Sequence, residues 1–257
     1  MARMRSKRHR QEREEFMLKE RRKVDQGIFD TRTMTYLSKF YNKRIITALK
    51  SPIARGKEAD LYLAEAGDAE VVSGQKYVMM KFFRIEASAF IKMSKYIEGD
   101  PRFERQIGKS RESIINTWCK KEFGNLRVAN GAGVLVPTPY MFNGNIIAMK
   151  FLGDHKTIAP SLNDVRVEDP EAALYLIIEN MKKLYQAKLV HADISEYNIL
   201  VYNEVPYMID FGQAVSTRHP SAHEFLKRDV ANILQYFAKK YKIRKDSDEV
   251  YRYLLSV

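Results

Sequence analysis

Three polar side chains near the middle of the carboxy-terminal half could assemble a phosphoryl-transfer site. Asp193 and Asn198 stand five apart in HADISEYN, and Asp210 follows a short apolar stretch and opens the triplet Asp-Phe-Gly. Moving a phosphoryl group from a nucleoside triphosphate asks a protein mainly for positioning and charge neutralisation. Magnesium takes oxygen ligands, and one or two side chains usually hold it together with the phosphates. Asp210 offers a carboxylate, and Asn198 an amide oxygen that adds no negative charge. Asp193 is placed to act as base or orienting group for an incoming hydroxyl. A single aspartate is ordinarily a turn or cap residue; three such groups in this order, with strand-like segments between them, point to chemistry. His191 reads as a packing and hydrogen-bonding residue that orders the loop, because Asp193 occupies the place of the base.

Lys81 lies in VMMKFF, an otherwise apolar strand. A buried lysine is costly unless paired, and contact with the α- and β-phosphates, steadied by a glutamate, supplies a reason. Glu122 in KKEFGNL is the preferred partner and Glu112 the rival; a lysine snorkelling at a sheet edge is the plain alternative. Gly56, Lys57 and Glu58 in ARGKEADLY could form a tight turn whose backbone amides meet phosphates. There is no GxGxxG, and the tripeptide on its own would be an ordinary surface turn.

The elements that must position these groups follow from the apolar pattern. Phe29 to Leu49 carries Met34, Leu37, Tyr41, Ile45, Ile46 and Leu49 at helical intervals, with Thr31 or Asp30 as cap and Pro52 as the stop. Leu61–Ala64, Tyr77–Phe83 and Asn145–Phe151 read as strands, and a helix runs from about Glu112 to Asn130. Residues 84–113, with Gly99-Asp100-Pro101, many charges and four serines, read as a flexible insertion. Asp169-Pro170-Glu171 is a helix start. Ile199–Tyr202 and Tyr207–Ile209 form a hairpin carrying Asn198 and Asp210 at its two ends. The resulting organisation is a basic amino-terminal helical segment (1–49), a β-rich lobe with the insertion (50–152) and a helical lobe with the catalytic and metal-binding loops (153–257).

A chain of 257 residues can bury a sizeable core, and 45% hydrophobic with 30% charged residues is ordinary for a globular protein. One cysteine, Cys119, excludes an internal disulfide and a cysteine metal cluster. No apolar run suits a membrane span and no secretory signal opens the chain, which fits a reducing, cytoplasmic setting. The net charge of +12 is concentrated in part at residues 1–25, with ten Lys/Arg against five Asp/Glu. Such a segment can neutralise RNA phosphates in a salt-sensitive way, or it can be a solvated helix. No DNA specificity and no membrane partner are expected.

Over about residues 28–240 the sequence resembles the RIO family of atypical protein kinases, and within it the Rio-one subfamily. GKEADLY, KKEFGNL, LVHADISEYNIL, IDFGQAV and HPSAHEFLKRDVANI carry the resemblance in order. It implies an α+β, bilobal protein-kinase-like fold: a small β-rich amino-terminal lobe and a truncated helical carboxy-terminal lobe, preceded by amino-terminal helices. It implies ATP and Mg2+ (Mn2+ substituting) in the cleft, Asp193 as base, Asn198 and Asp210 as metal ligands, and Lys81 on the ATP phosphates. The adenine-binding hinge would fall at Met149–Leu152, with Met149, Phe151 and Leu152 as contacts. Family members act in late maturation of the small ribosomal subunit, so the pre-ribosomal particle and its rRNA are the implied partners. They are described as serine kinases and ATPases whose DFG-like aspartate, here Asp210, can accept phosphate. Ser88, Ser94, Ser110 and Ser113 are then candidates for autophosphorylation. Ala192 removes the usual basic pocket for an activation-loop phosphate, Ser195 replaces a lysine, no APE motif follows, and Ala54-Arg55 departs from the family's Ser-Thr before Gly56. The compact length resembles archaeal members. A small-molecule phosphotransferase of the aminoglycoside-kinase type and an rRNA-binding pseudokinase scaffold are the alternatives.

Overall fold

The computed structural model describes residues 30–84, Tyr96, Asp100, Arg102, 110–154 and 156–256. The basic segment 1–25 and the serines Ser88 and Ser94 lie outside the described residues. Helix α1 (Thr31–Asn42) is capped by Asp30, whose side chain accepts from the Thr33 N–H at 2.7 Å. It leads into five antiparallel strands: β1 (Ile46–Arg55), β2 (Ala59–Ala66), β3 (Tyr77–Phe83), β4 (Pro139–Asn143) and β5 (Ile146–Lys150), in the order β1-β2-β3-β5-β4. Helix α2 (Arg111–Gly131) connects β3 to β4.

Both faces of this sheet are covered, which explains why β3 is apolar nearly throughout. Met34, Leu37 and Phe40 of α1 pack with Val78, Met80 and Phe82 on one face. Ile115, Trp118, Cys119 and Phe123 of α2 pack with Met79, Phe83, Ile147 and Met149 on the other. Strand alternation then puts Lys81 on the α2 face, between Met79 and Phe83.

Two short strands, β6 (Gly153–Asp154) and β7 (Thr157–Ile158), follow the sheet. Helix α3 (Pro170–Gln186) has Asp169 as cap, accepting from Ala172 N–H at 2.9 Å, and Pro170 in its first turn. Next come β8 (Leu189–Val190), the hairpin β9 (Ile199–Tyr202) and β10 (Val205–Met208), β11 (Val215–Ser216), and helices α4 (Ala222–Tyr241) and α5 (Ser247–Leu255). One large apolar cluster joins α3, α4, α5 and these strands, and Phe211 and Ala214 are fully buried in it. Among the described residues no helix is long and apolar enough to cross a membrane.

The sequence reading needs correction at two places. The helix predicted to reach Leu49 ends at Asn42, and Ile45, Ile46 and Leu49 belong to the turn and strand β1. Arg44 adopts φ 55°, which breaks the helix, and Pro52 lies within β1, an edge strand where a missing N–H is tolerated. A division at 49/50 therefore cuts through a strand. The insertion predicted to reach residue 113 stops at Ser110, which caps α2 by accepting from Ser113 N–H at 3.2 Å.

Candidate active site

A cavity of about 490 Å3 lies between the sheet and the helical lobe. The turn joining β1 to β2 closes one side: Gly56 N–H donates to Ala59 O at 2.9 Å, and a Cβ on Gly56 would stand 2.9 Å from that same oxygen. Gly56, Lys57 and Glu58 all line the cavity. Met149 and Leu152 line it too, with Met79, Leu61 and Ile158 as apolar wall. Phe151 does not: its side chain turns into the sheet–helix core and meets Tyr77 edge-on at 6.2 Å. The residue between Met149 and Leu152 that faces the cavity is Lys150.

At the inner end of the cavity Lys81 Nζ donates to both Glu122 oxygens, at 2.7 and 3.0 Å, and to Asp210 Oδ1 at 3.2 Å. Glu112 is not the partner; it bonds Arg32 and the Tyr36 hydroxyl instead. The side chain of Glu122 is 1% exposed and that of Lys81 13%, whereas the Asp210 side chain is about half exposed at 48%. Burial pushes Glu122 up to about 7 against the pull of Lys81. Burial also opposes the charge on Lys81, but Asp210 and Glu122 outweigh it and hold the ammonium well above its usual range. The Lys81 charge keeps the Asp210 carboxyl below the ordinary aspartate value. Asp210 is thus ionised and partly exposed, which is what a metal ligand requires.

Asp193 and Asn198 are held together one loop away. Asn198 Nδ2 donates to Asp193 O at 2.8 Å and to its Oδ2 at 3.0 Å, and Gln213 Nε2 donates to Oδ2 at 3.0 Å. Asn198 therefore commits its nitrogen to Asp193 and keeps its amide oxygen for another partner. Burial, reinforced by the charge of Asp210, raises Asp193 to about 6, a value suited to a base working near neutrality. His191 is buried and neutral, pushed down to about 4 by burial. One ring nitrogen meets Ile209 O at 3.1 Å, and the ring stacks edge-on to Phe211 at 4.6 Å. It orders the loop, as its position before Asp193 suggested.

A family model described as the RIO domain matches residues 60–250. The chain belongs to the RIO family. It is 39% identical over 232 residues to the RIO-type serine/threonine-protein kinase Rio1 of Haloferax volcanii, covering 90% of this chain and 77% of that one. With the Rio1 kinase of Thermoplasma acidophilum it shares 40% identity over 71% of this chain and 96% of that one. The crystal structure of the Rio2 kinase–ADP/Mg2+–phosphoaspartate complex from Chaetomium thermophilum matches with a TM-score of 0.64 at 22% identity. It covers 86% of this chain and 65% of that one, so the likeness shows the protein-kinase-like fold. This RIO chain is accordingly a serine/threonine protein kinase.

The structure adds residues to the RIO site that the sequence reading did not assign. Asp229 of α4 accepts from Ala192 N–H at 2.8 Å and from Ile194 N–H at 3.0 Å, gripping the backbone on both sides of Asp193. Burial raises its carboxyl to about 7 despite these two donors. Ala192, the first of the two donors, sits at φ 65°, a left-handed conformation that costs an alanine about 1–2 kcal/mol. On the other side, Lys121 Nζ donates to Gly212 O and Ala214 O at 2.7 and 2.6 Å. Asn125 Nδ2 donates to Phe211 O and Ala214 O, both at 2.9 Å. Gly212 is required by contact: a Cβ there would lie 2.7 Å from Trp118 Cζ2. A signal was present in the pattern. Asp229 falls on the helical stripe Phe225-Leu226-Val230-Ile233, and Lys121 and Asn125 on the stripe Trp118-Glu122-Leu126; polar residues on a buried stripe need partners.

Proposed function

We propose that this RIO kinase uses ATP and Mg2+, with Mn2+ able to substitute, to phosphorylate serine hydroxyls, and that it also turns over ATP through phosphate transfer to Asp210. The observation that carries the reading is the Lys81–Glu122–Asp210 cluster at the end of the cavity, with Asp193 and Asn198 bonded to each other beside it. Lys81, fixed by Glu122, binds the α- and β-phosphates. Asp210 and Asn198 offer a carboxylate and an amide oxygen, a donor set that fits a hard divalent cation sharing its remaining ligands with phosphates. Such a cation neutralises the charge that develops on the phosphate oxygens.

For a serine acceptor, Asp193 takes the hydroxyl proton as the oxygen bonds to the γ-phosphorus and the bond to the β-phosphate oxygen breaks, releasing ADP. For the ATPase branch, an Asp210 oxygen bonds to the γ-phosphorus as the bond to the β-phosphate oxygen breaks and ADP leaves, and water then hydrolyses the resulting acyl phosphate to carboxylate and phosphate. The phosphoaspartate in the Rio2 kinase–ADP/Mg2+ complex supports that branch by analogy. Autophosphorylation at Ser88, Ser94, Ser110 or Ser113 belongs to the serine branch. Membership of the RIO family makes the pre-ribosomal small subunit and its rRNA, in the cytoplasm, the proposed place of action, and the basic segment 1–25 with the net charge of +12 suits contact with RNA phosphates.

Equilibrium binding of ATP tests the site. Affinity should rise with magnesium, weaken in Asp210→Ala, and stay largely intact in Asp193→Ala while transfer to serine is abolished. An affinity indifferent to magnesium and to Asp210, or an Asp193→Ala variant that loses only affinity, would contradict these roles.

A further inference from the structure

A second depression, of about 410 Å3, shares no lining residue with the nucleotide cleft. Its walls carry three cationic side chains, Arg102, Lys188 and Arg218, the hydroxyl residues Ser216 and Thr217, and the exposed Val128. No carboxylate residue is among those lining it.

Its construction brings three separate pieces of chain together. Ser216 pairs with Leu189 across β11 and β8, and Thr217 N–H donates to Lys188 O at 3.0 Å. That pairing holds Lys188 and Arg218 at adjoining strand ends, both exposed. Lys188 is fixed at φ 64°, and the backbone N–H of Arg218 bonds Ser216 Oγ at 3.2 Å. Among the described residues neither Lys188 nor Arg218 has a carboxylate partner.

Arg102 comes from the other side and is rigidly held. Its Nε and Nη2 grip the fully buried Asp100 at 2.9 and 2.6 Å, and its Nη1 donates to Asn125 Oδ1 at 2.8 Å. One of the three cations therefore has its charge balanced, and two do not.

Like charges gathered around one depression repel each other unless an anion lies among them. A polyanion backbone is usually met by cations strung along a face. Convergence on one depression, with two hydroxyls beside the cations, suits a compact, highly charged group. We propose that this depression is a binding site for a phosphomonoester dianion, held by Lys188, Arg218 and Arg102 with Ser216 and Thr217 donating.

The site is also connected to the chemistry. Arg102 bonds Asn125, and Asn125 bonds the carbonyls of Phe211 and Ala214. A dianion drawn to Arg102 thereby acts, through Asn125, on the backbone that presents Asp210. This second step rests on the kinase reading of Asp210; the binding site itself does not.

The test is an NMR titration of the full chain with inorganic phosphate and, separately, with a phosphoserine peptide. The nucleotide cleft is kept saturated with a non-hydrolysable ATP analogue and magnesium. The amides of Lys188, Leu189 and Ser216 to Arg218 should shift saturably with one dissociation constant. Lys188→Asn, which tolerates the left-handed backbone, and Arg218→Gln should each weaken binding about tenfold, the loss of one charge-assisted hydrogen bond. A peptide that binds more tightly than phosphate identifies a modified side chain as the ligand; equal affinities identify free phosphate. Shifts absent from these amides, a dissociation constant unchanged in both variants, or an unmodified RNA oligonucleotide binding there as tightly as the phosphopeptide would overturn the proposal. The coupling is read separately: phosphate should change kcat in the wild type and not in the two variants. A chain without turnover would remove the coupling and leave the binding result standing.

Discussion

Replacing Asp229 by alanine separates the positioning of the catalytic loop from the stability of the fold. Its carboxylate accepts from the N–H groups of Ala192 and Ile194 at 2.8 and 3.0 Å. Removing it strands two buried donors, each costing about 1–3 kcal/mol. Acting the other way, burial raises this carboxyl from 3.8 to about 7. A raised aspartate pKa means that the folded state disfavours the ionised form. The penalty is absent below the unfolded pKa and is complete, at about 4 kcal/mol, once the pH passes the folded value. At pH 8 loss and relief nearly cancel, so Asp229→Ala should change unfolding free energy by no more than about 2 kcal/mol. At pH 5 most of the relief is gone and the variant should be clearly less stable than the wild type.

The catalytic loop gains nothing from that relief. Released from α4, Ala192 can leave φ 65°, and a displacement of about 1 Å at Asp193 is enough to cost about a hundredfold in rate. Urea unfolding at pH 5 and pH 8, set beside kcat and nucleotide affinity, provides the assay. The expected pattern is kcat reduced about a hundredfold, nucleotide affinity within a few fold of wild type, and a stability deficit that shrinks as pH rises. Full activity in the folded variant, or a deficit that grows with pH, would refute the reasoning.

Three further outcomes follow. Because Asp193 must be ionised to act and burial places it at about 6, kcat/KM should fall about tenfold per pH unit below that point; a profile flat to pH 5 would remove Asp193 as the base. Lys81→Met leaves Glu122, 1% exposed, without its cation. Breaking such a pair costs about 3–5 kcal/mol, and urea melts should show more of that loss at pH 8 than at pH 6, where the carboxyl takes up a proton. Gly212→Ala drives a Cβ toward Trp118 and should destabilise by about 1–3 kcal/mol; a double variant with Trp118→Leu should recover part of the loss, which a purely backbone effect would not allow.

The parts of the site legible in the sequence were those whose chemistry contradicts their surroundings. Lys81 in an apolar strand and Glu122 just ahead of Phe123 announced a pair, and the hairpin with Asn198 and Asp210 at its ends was visible from two short apolar runs, although its second strand spans Val205–Met208 rather than Tyr207–Ile209. β1 was misread because Ile45 in the turn before it and Ile46 and Leu49 within it fall at intervals a helix would also give. The strand's register shifts at Ile46/Ala48 and Leu49/Pro52 erase the period of two. Arg44 at φ 55°, the residue that ends the helix, has no marking in its side chain. Phe151 was assigned to the cleft together with Met149 and Leu152, whereas its ring packs in the sheet–helix core against Tyr77, a contact from a distant strand that the local sequence does not announce. Asp229 looked like one charge in the run KRD; its burial depends on α4 passing beneath the catalytic loop, a long-range fact that local pattern does not carry. The same holds for the convergence of Arg102, Lys188 and Arg218.

The most direct test of the central claim is transfer from γ-labelled ATP with magnesium to the protein itself, in wild type, Asp193→Ala and Asp210→Ala, followed by hydroxylamine. Hydroxylamine cleaves acyl phosphates and spares phosphoserine. The account predicts two pools of label in the wild type: a resistant one that disappears with Asp193, and a sensitive one that disappears with Asp210. Label that survives both substitutions, or no label and no ATP turnover in the wild type, would contradict it.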